Sequence, residues 1–271
     1  MTTKMATGLV AAGGASRSFL ARMPAVLAGL GPVKAASFRV ARRIVNALHR
    51  GYAVFDYAAL ELCDLIWIYV PDQMLDRVSS ELAARMAIDG TMVVFCESVR
   101  DSRWPKPLRR AGARIASLNV VDESRERTFV AEGHPETLRA LRRFVATEKR
   151  KMIEIEASSK ALYFAGVHLA AHLLLPWIAA AVQSLRAAGF SRAEAIQLAH
   201  SLGARALRTY GKAGPKAWTH AAASHLLGTV EHDLETVRAA DSRLASLYAD
   251  GVTRALDYFE RDSRPEVHRP R

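Results

Sequence analysis

The chain has only two cysteines in 271 residues, Cys63 and Cys96. Each lies beside an apolar run that reads as a buried strand, so a disulfide framework is excluded and both are expected to be reduced thiols of a cytoplasmic protein. The start lacks a secretory h-region: Met1 to Thr7 is polar and small, and glycines interrupt the apolar residues after it, so no signal peptide is expected. No Gly-x-Ser-x-Gly elbow occurs, and Ser98 has no histidine near it in sequence, so a nucleophilic triad is unsupported. No internal repeat is present. One long uncharged run exists, the twenty-five residues Ala161 to Leu185. It is long enough to cross a bilayer. Its His168, His172, Pro176 and Gln183, and the absence of a second such run, favour instead the core of a helical domain or a dimer interface.

What the chain has in quantity is apolar residues, 50%, with 24% charged, the balance of a globular protein with one large domain or two small ones. Lys and Arg total 38 against 27 Asp and Glu, a net charge of +11. The basic residues are dispersed, at Arg39/Arg42/Arg43, Arg109/Arg110, Arg142/Arg143 and Lys149/Arg150/Lys151, mostly beside acids on polar helical faces. A nucleic-acid binder gathers such charge on one face with aromatics interleaved. No nucleic-acid partner is therefore expected, while a general attraction for anions, phosphates included, stays open.

The first 150 or so residues alternate strand-like and helix-like segments. Apolar runs at Gly8–Ala11, Val33–Ser37, Tyr52–Phe55, Leu65–Val70, Thr91–Cys96, Arg114–Leu118 and Phe129–Ala131 read as strands. Helical spacing marks Val40–Leu48, Asp72–Ala87, with Met74, Val78, Leu82 and Met86 on one side, and the segment led by Pro135. Continuous apolar strands separated by helices imply a parallel sheet covered on both faces. From Ser158 onward only helices are expected. Ser191-x-x-Glu194 is a capping box, Gly211 and Gly214-Pro215 mark a break, and a last helix spans about Thr229 to Phe259. The expected architecture is a Rossmann-like α/β domain over residues 1–155 and an all-α domain over 156–262, with a disordered tail over 263–271.

The opening strand leads into Ala12-Gly13-Gly14-Ala15-Ser16-Arg17-Ser18 and then a helix through Ala21, Val26 and Leu27. A dinucleotide-binding fold holds its pyrophosphate at such a turn. The G-x-G-x-x-G fingerprint is partial: its positions fall on Ala12, Gly14 and Arg17, or, one residue later, on Gly13, Ala15 and Ser18. Gly13, Gly14, Ser16 and Arg17 are the candidate pyrophosphate residues. After the second strand the chain reads Ser37-Phe38-Arg39, with Arg42 and Arg43 a turn later and no acid in reach. An acid there selects NAD, whereas Arg with small polar groups accepts the 2′-phosphate of NADP. NADP(H) is the expected cofactor, the alternative being that these arginines simply line a solvated helix. Val70-Pro71 and Ser98 complete the candidate cofactor set.

Three ordered stretches carry a resemblance. Asp64-Leu-Ile-Trp-Ile-Tyr-Val-Pro-Asp72 is similar to a strand ending in V-P-D. Lys160-Ala-Leu-Tyr163 opens the helical part, and Glu231-His-Asp233-Leu-Glu-Thr236-Val237 is similar to R-G-D-x-x-T-V. In this order they resemble a two-domain family that joins a dinucleotide-binding N-terminal domain to a helical C-terminal domain of unknown function. That family lies within the 6-phosphogluconate dehydrogenase-like, β-hydroxyacid dehydrogenase-like and pyrroline-5-carboxylate reductase-like group. The resemblance implies hydride transfer from NADP(H) to a small ketone, keto acid or imine. It implies that Lys160 is the proton donor, a role that partial desolvation would assist by lowering its pKa. The alternative is a lysine whose ammonium reaches water from the end of a buried helix. His172 stands where the family has asparagine and is the second candidate catalytic group. Asn119, Tyr163 and His168 are candidate substrate residues.

Departures from the family fall at site positions: Phe95-Cys96-Glu97-Ser98 where it has H-x-S-G, Asn119-Val120 where it has H-P, and Phe164 in place of a histidine. They leave open a non-catalytic, ligand-sensing or scaffold relative. His168 and His172 are spaced to share a helix side, but no third ligand is evident and no metal is expected. The site is expected in the cleft between the domains, and the chain is expected to pair with a second copy through the helical domain.

Overall fold

Short apolar segments of the first part pair into one eight-stranded sheet: β1 (Thr7–Ala11), β2 (Leu30–Lys34), β3 (Tyr52–Ala53), β4 (Leu65–Tyr69), β5 (Met92–Cys96), β6 (Arg114–Val120), β7 (Thr128–Gly133) and β8 (Lys151–Glu154). This computed structural model describes residues 5–14, 18–121, 128–218, 230 and 232–262. The chain divides into two units, Met1–Gly166 and Val167–Arg271.

The strand order is β3-β2-β1-β4-β5-β6-β7-β8. Its first six strands run parallel in the 3-2-1-4-5-6 order of doubly wound dinucleotide folds, whose ligands lie beyond the carboxyl ends at the switch point. The expectation of a wholly parallel sheet needs correction at the far edge: β7 runs antiparallel to β6, and β8 parallel to β7. Only residues 121–127 link β6 to β7, too few for the helical crossover that a parallel pair requires. Gly133 closes β7 at φ +134, where a Cβ would stand 2.4 Å from the Ile115 carbonyl oxygen. Strand β8 was hidden by its charged ends, Lys151 and Glu154, which an edge strand tolerates.

Both sheet faces are covered, and β4 shows how. Leu65 and Trp67 point to one side, with Leu9, Val94 and Phe129. There they meet α2 (Phe38–Leu48) and α5 (Pro135–Thr147) through Ile44, Leu138 and Leu141. Ile66 and Ile68 point to the other, against Leu75, Val78 and Leu82 of α3 (Asp72–Arg85) and Leu108 of α4 (Lys106–Arg110). Leu75, not Met74, is the buried residue of the first turn of α3.

The helix expected after the opening turn is shorter. A 3-10 turn, Phe19–Arg22, precedes the five-residue α1 (Pro24–Ala28), with Met23 between them at φ −118 and ψ 89. Pro24 lacks the N–H that a continuous helix would need. The second strand also starts earlier than the sequence suggests: Thr7 pairs with Leu30, so Ala35–Ser37 form the loop beyond the strand.

Helix α6 (Lys160–Ala170) opens the helical part, and α7 (Leu175–Ala187), α8 (Arg192–Ala213), α9 (232–240) and α10 (Ser242–Asp262) come after it. The capping box of α8 is complete, Ser191 Oγ accepting from Glu194 N and Glu194 Oε2 from Ser191 N. The expected single terminal helix breaks at Asp241. Its Oδ1 accepts from Arg243 N at 2.8 Å and Leu244 N at 3.1 Å, and its Oδ2 accepts from Gln183 Nε2 at 2.6 Å. That side chain starts α10 as an N-cap. The uncharged run is likewise two helices, parted by a 3-10 turn at His172–Leu174. Ala157–Ala187 is long and apolar enough to cross a membrane by length and composition, with mean hydropathy 1.6, yet none of its apolar window is buried. The expectation that it forms the core of the helical part is therefore corrected: Leu162, Leu169 and Leu175 are all more than 60% exposed. The segment 263–271 lies outside the described residues.

Candidate functional site

The candidate residues of the first unit gather at the carboxyl ends of the parallel strands. Beyond β1, Ala12 N donates to the Tyr69 carbonyl of β4 at 3.0 Å, which seats the turn on the switch point. A Cβ at Gly13 would meet nothing within 4 Å, and one at Gly14 only Tyr69 Cε1 at 4.0 Å. Among the described residues nothing crowds the turn. Ser16 and Arg17 lie outside the described residues. Downstream of them the chain enters the 3-10 turn at Phe19–Arg22 rather than a long helix, so the expected helix terminus for a pyrophosphate is absent among the described residues. Any diphosphate would rest on the turn itself.

Beyond β2, Ser37 caps α2, its Oγ accepting from Val40 N at 3.3 Å. Arg39 lies in the first turn, which holds no acid. Arg39, Arg42 and Arg43 are exposed and form no ion pair among the described residues. Phe38 stacks on the exposed Phe55, centroids 3.8 Å apart. The exposed, capped end of α2 thus presents guanidiniums and no carboxylate in its first turn. Beyond β4, Val70 leads to Pro71, the N-cap of α3.

Beyond β5 and β6 the loop that carries Ser98 is fastened at each step. Glu97 turns through φ +58, and its Oε1 accepts from Val120 N at 2.9 Å. Asn119 Nδ2 donates to the Ser98 carbonyl at 3.1 Å, Asp72 Oδ2 accepts from Val99 N at 3.1 Å, and Ser98 Oγ accepts from Arg100 N at 2.9 Å. Ser98 and Asn119 are buried, 1% and 3% exposed. The Asn119 Oδ1 has no hydrogen-bond partner among the described residues.

The same loop explains Lys160. Its Nζ donates to the Arg100 carbonyl at 2.5 Å and to Ser117 Oγ at 2.6 Å, and stands 3.5 Å from Glu132 Oε1. Glu132 in turn accepts from Ser117 Oγ at 2.5 Å, from Ser102 Oγ at 2.6 Å and from Ser102 N at 3.0 Å. Burial pushes the Lys160 pKa below the ordinary lysine value, with Glu132 opposing that shift. The lysine is desolvated as expected, but its three hydrogens face three protein oxygens. Glu132 was not legible as a site residue. Its signal was a charge closing the apolar run Phe129–Ala131, and the antiparallel register sets it opposite Ser117.

One turn along α6, Tyr163 packs edge-on against Phe164, centroids 4.9 Å apart. Burial, and then Glu97, push its phenol pKa up, so it stays neutral. His168 and His172 lie in the second unit, their Nδ1 atoms 3.2 Å apart. Among the described residues no three His, Cys, Asp or Glu side chains form a metal-binding group.

Residues 127–254 match a family model described as a domain of unknown function, DUF2520. No curated protein matches the sequence. Among solved structures, a Thermotoga maritima protein aligns with TM-score 0.67 at 16% identity, over 95% of this chain and 100% of its own. An imine reductase of Bacillus cereus aligns with TM-score 0.65 at 17% identity, over 93% of each chain. A reductive aminase of Aspergillus terreus, solved with NADPH and ethyl levulinate, aligns with TM-score 0.62 at 14% identity, over 97% of this chain and 95% of its own. At such identities the likeness concerns the fold. Residues 127–254 thus match the DUF2520 model, in a chain that shares with these solved structures a Rossmann-like sheet and a helical C-terminal part.

Proposed function

We propose that the chain is an NADP(H)-dependent oxidoreductase that reduces a small ketone, keto acid or imine. The observation that carries this reading is the end of β2. There the capping Ser37 and the unpaired Arg39 offer a phosphate site with no competing acid, on a sheet of dinucleotide-binding order. The fold shared with an imine reductase and with a reductive aminase solved with NADPH supports it.

NADPH would rest on Gly13 and Gly14, with its 2′-phosphate at Ser37 and Arg39, and would supply the hydride. Val70 and Pro71 would flank its nicotinamide half. Ser98 and Asn119 hold the loop that bounds the reacting end. Lys160, its hydrogens committed, keeps that loop in place rather than delivering a proton. His172, whose imidazole can both give and take a proton, then serves as the proton donor. His168 and Tyr163 contact substrate. In the same reading the chain is a cytoplasmic homodimer, paired through the exposed apolar side chains of α6 and α7, with no membrane or nucleic-acid partner.

A second reading is a non-catalytic, ligand-sensing relative, favoured by the commitment of Lys160 and by the short 3-10 turn in place of a helix. Calorimetric titration with NADPH and NADH, then NADPH oxidation with small carbonyls and cyclic imines, separates the two. Absence of NADPH binding at millimolar concentration removes the first reading. Binding without turnover of any such substrate favours the second.

A further inference from the structure

The helical unit contains a cavity of about 470 Å³ between α7, α9 and α10. That volume falls in the range of small-molecule pockets. Trp177 and Ala181 of α7, Asp233 and Val237 of α9, and Leu247 and Tyr248 of α10 are among its lining residues. Trp177 is held there by a missing side chain: a Cβ on Gly251 would lie 2.6 Å from its Cζ3. The indole therefore lies close against the backbone of α10. Asp233 is the one acid among the described lining residues. It makes no hydrogen bond or ion pair with any described residue, although the chain carries eleven more basic than acidic side chains.

We propose that this cavity binds an apolar ammonium or iminium compound. A carboxylate beside an apolar wall loses water contacts without gaining a partner, and a cation carrying N–H restores them. The faces of Trp177 and Tyr248 attract the same charge through their ring quadrupoles, while Val237 and Leu247 take the hydrocarbon part. An anionic ligand meets Asp233 as a like charge. A neutral one desolvates the carboxylate and returns no charge. The inference stands on the helical unit alone and needs no cofactor.

The test is a calorimetric titration of the full chain, without NADPH, using cyclohexylamine, cyclohexanol and cyclohexanecarboxylate. The expected result is that the amine binds at least tenfold more tightly than either match. Asp233→Asn, nearly isosteric, removes that preference with an unchanged melting temperature. Ala181→Leu, which fills the cavity, weakens the amine at least tenfold. Equal binding of the three compounds, no binding of the amine, or amine binding untouched by Asp233→Asn overturns the proposal. Amine binding that vanishes as raised protein concentration drives dimerisation overturns it as well, because a second copy then occupies the cavity. Since no cofactor is present, these outcomes are independent of whether NADPH binds.

Discussion

Lys160 Nζ stands 3.5 Å from Glu132 Oε1, with neither side chain more than 3% exposed. Ser117 Oγ bonds to both. The pair joins the first residue of α6 to β7 and, through Arg100 and Ser102, to the loop beyond β5. Taking one member of such a buried pair leaves an uncompensated charge, so Lys160→Met and Glu132→Gln differ in kind. The first strands a carboxylate and is expected to cost about 3–5 kcal/mol in urea unfolding. The second keeps the shape and an oxygen that still accepts from its neighbours, and is expected to be milder for that reason. The double variant Lys160→Met/Glu132→Gln recovers most of the loss of the first. Activity that returns with stability in the double variant marks Lys160 as a positioning residue. A stable double variant with no turnover marks it instead as the chemical proton donor.

Gly13 and Gly133 give opposite expectations for the same substitution. At Gly133 an alanine Cβ would strike backbone at 2.4 and 2.5 Å, at a φ of +134. Gly133→Ala is expected to cost more than about 3 kcal/mol, beyond ordinary overpacking, because the clash is with main chain. At Gly13 the added methyl meets nothing within 4 Å, so Gly13→Ala leaves thermal unfolding unchanged. Its effect appears only when a diphosphate approaches the turn. NADPH affinity is expected to fall roughly tenfold, about 1.4 kcal/mol. Unchanged NADPH affinity in a well-folded Gly13→Ala would place the cofactor elsewhere.

Cofactor choice is tested at Arg39. An acid at this strand end accepts the ribose hydroxyls and repels a 2′-phosphate. Arg39→Glu is expected to weaken NADPH by roughly tenfold or more, about 1.4 kcal/mol, while NADH changes little or gains. The loss should shrink at high salt, since Arg39 is exposed and screened. Equal losses for both cofactors would instead mean that Arg39 supports the loop rather than reading the phosphate.

The architecture was legible because it depends on pattern. Buried strands such as Leu65–Tyr69 are apolar at every position, and α2 repeats its apolar residues at helical spacing. The antiparallel β7 was not legible, because direction depends on the length of a connection and not on strand composition. The split at Met23 was signalled by Pro24 but outweighed by the apolar spacing around it. Ser98 and Asn119 were found through the strand ends, whereas Glu132 was missed. Its role exists only through the register that sets it opposite Ser117, a relation between strands that a linear reading does not contain.

Cys63 gives a pH prediction with a definite sign. Burial, and then the neighbouring Asp64, push its thiol pKa up to about 11 from an ordinary 9.0. The folded chain therefore keeps the proton where the unfolded chain releases it. Stability linked to this thiol is complete below pH 9.0 and is lost as pH rises towards about 11. Tyr57, pushed up to about 12 mainly by burial, acts in the same sense, and Lys160 acts against both: its lowered pKa means the folded state sheds a proton first, so its contribution rises with pH. The comparison that isolates the thiol is wild type against Cys63→Ala. Between pH 9 and 11 the wild-type unfolding free energy is expected to fall more steeply, by at most about 1.4 kcal/mol per pH unit. Iodoacetamide should label Cys63 only at the rate of unfolding. Rapid labelling at pH 9 under native conditions would mean that the thiol is accessible, and that the contact between Gly8 and Cys63 in the core is looser than a 3.0 Å approach to an added Cβ implies.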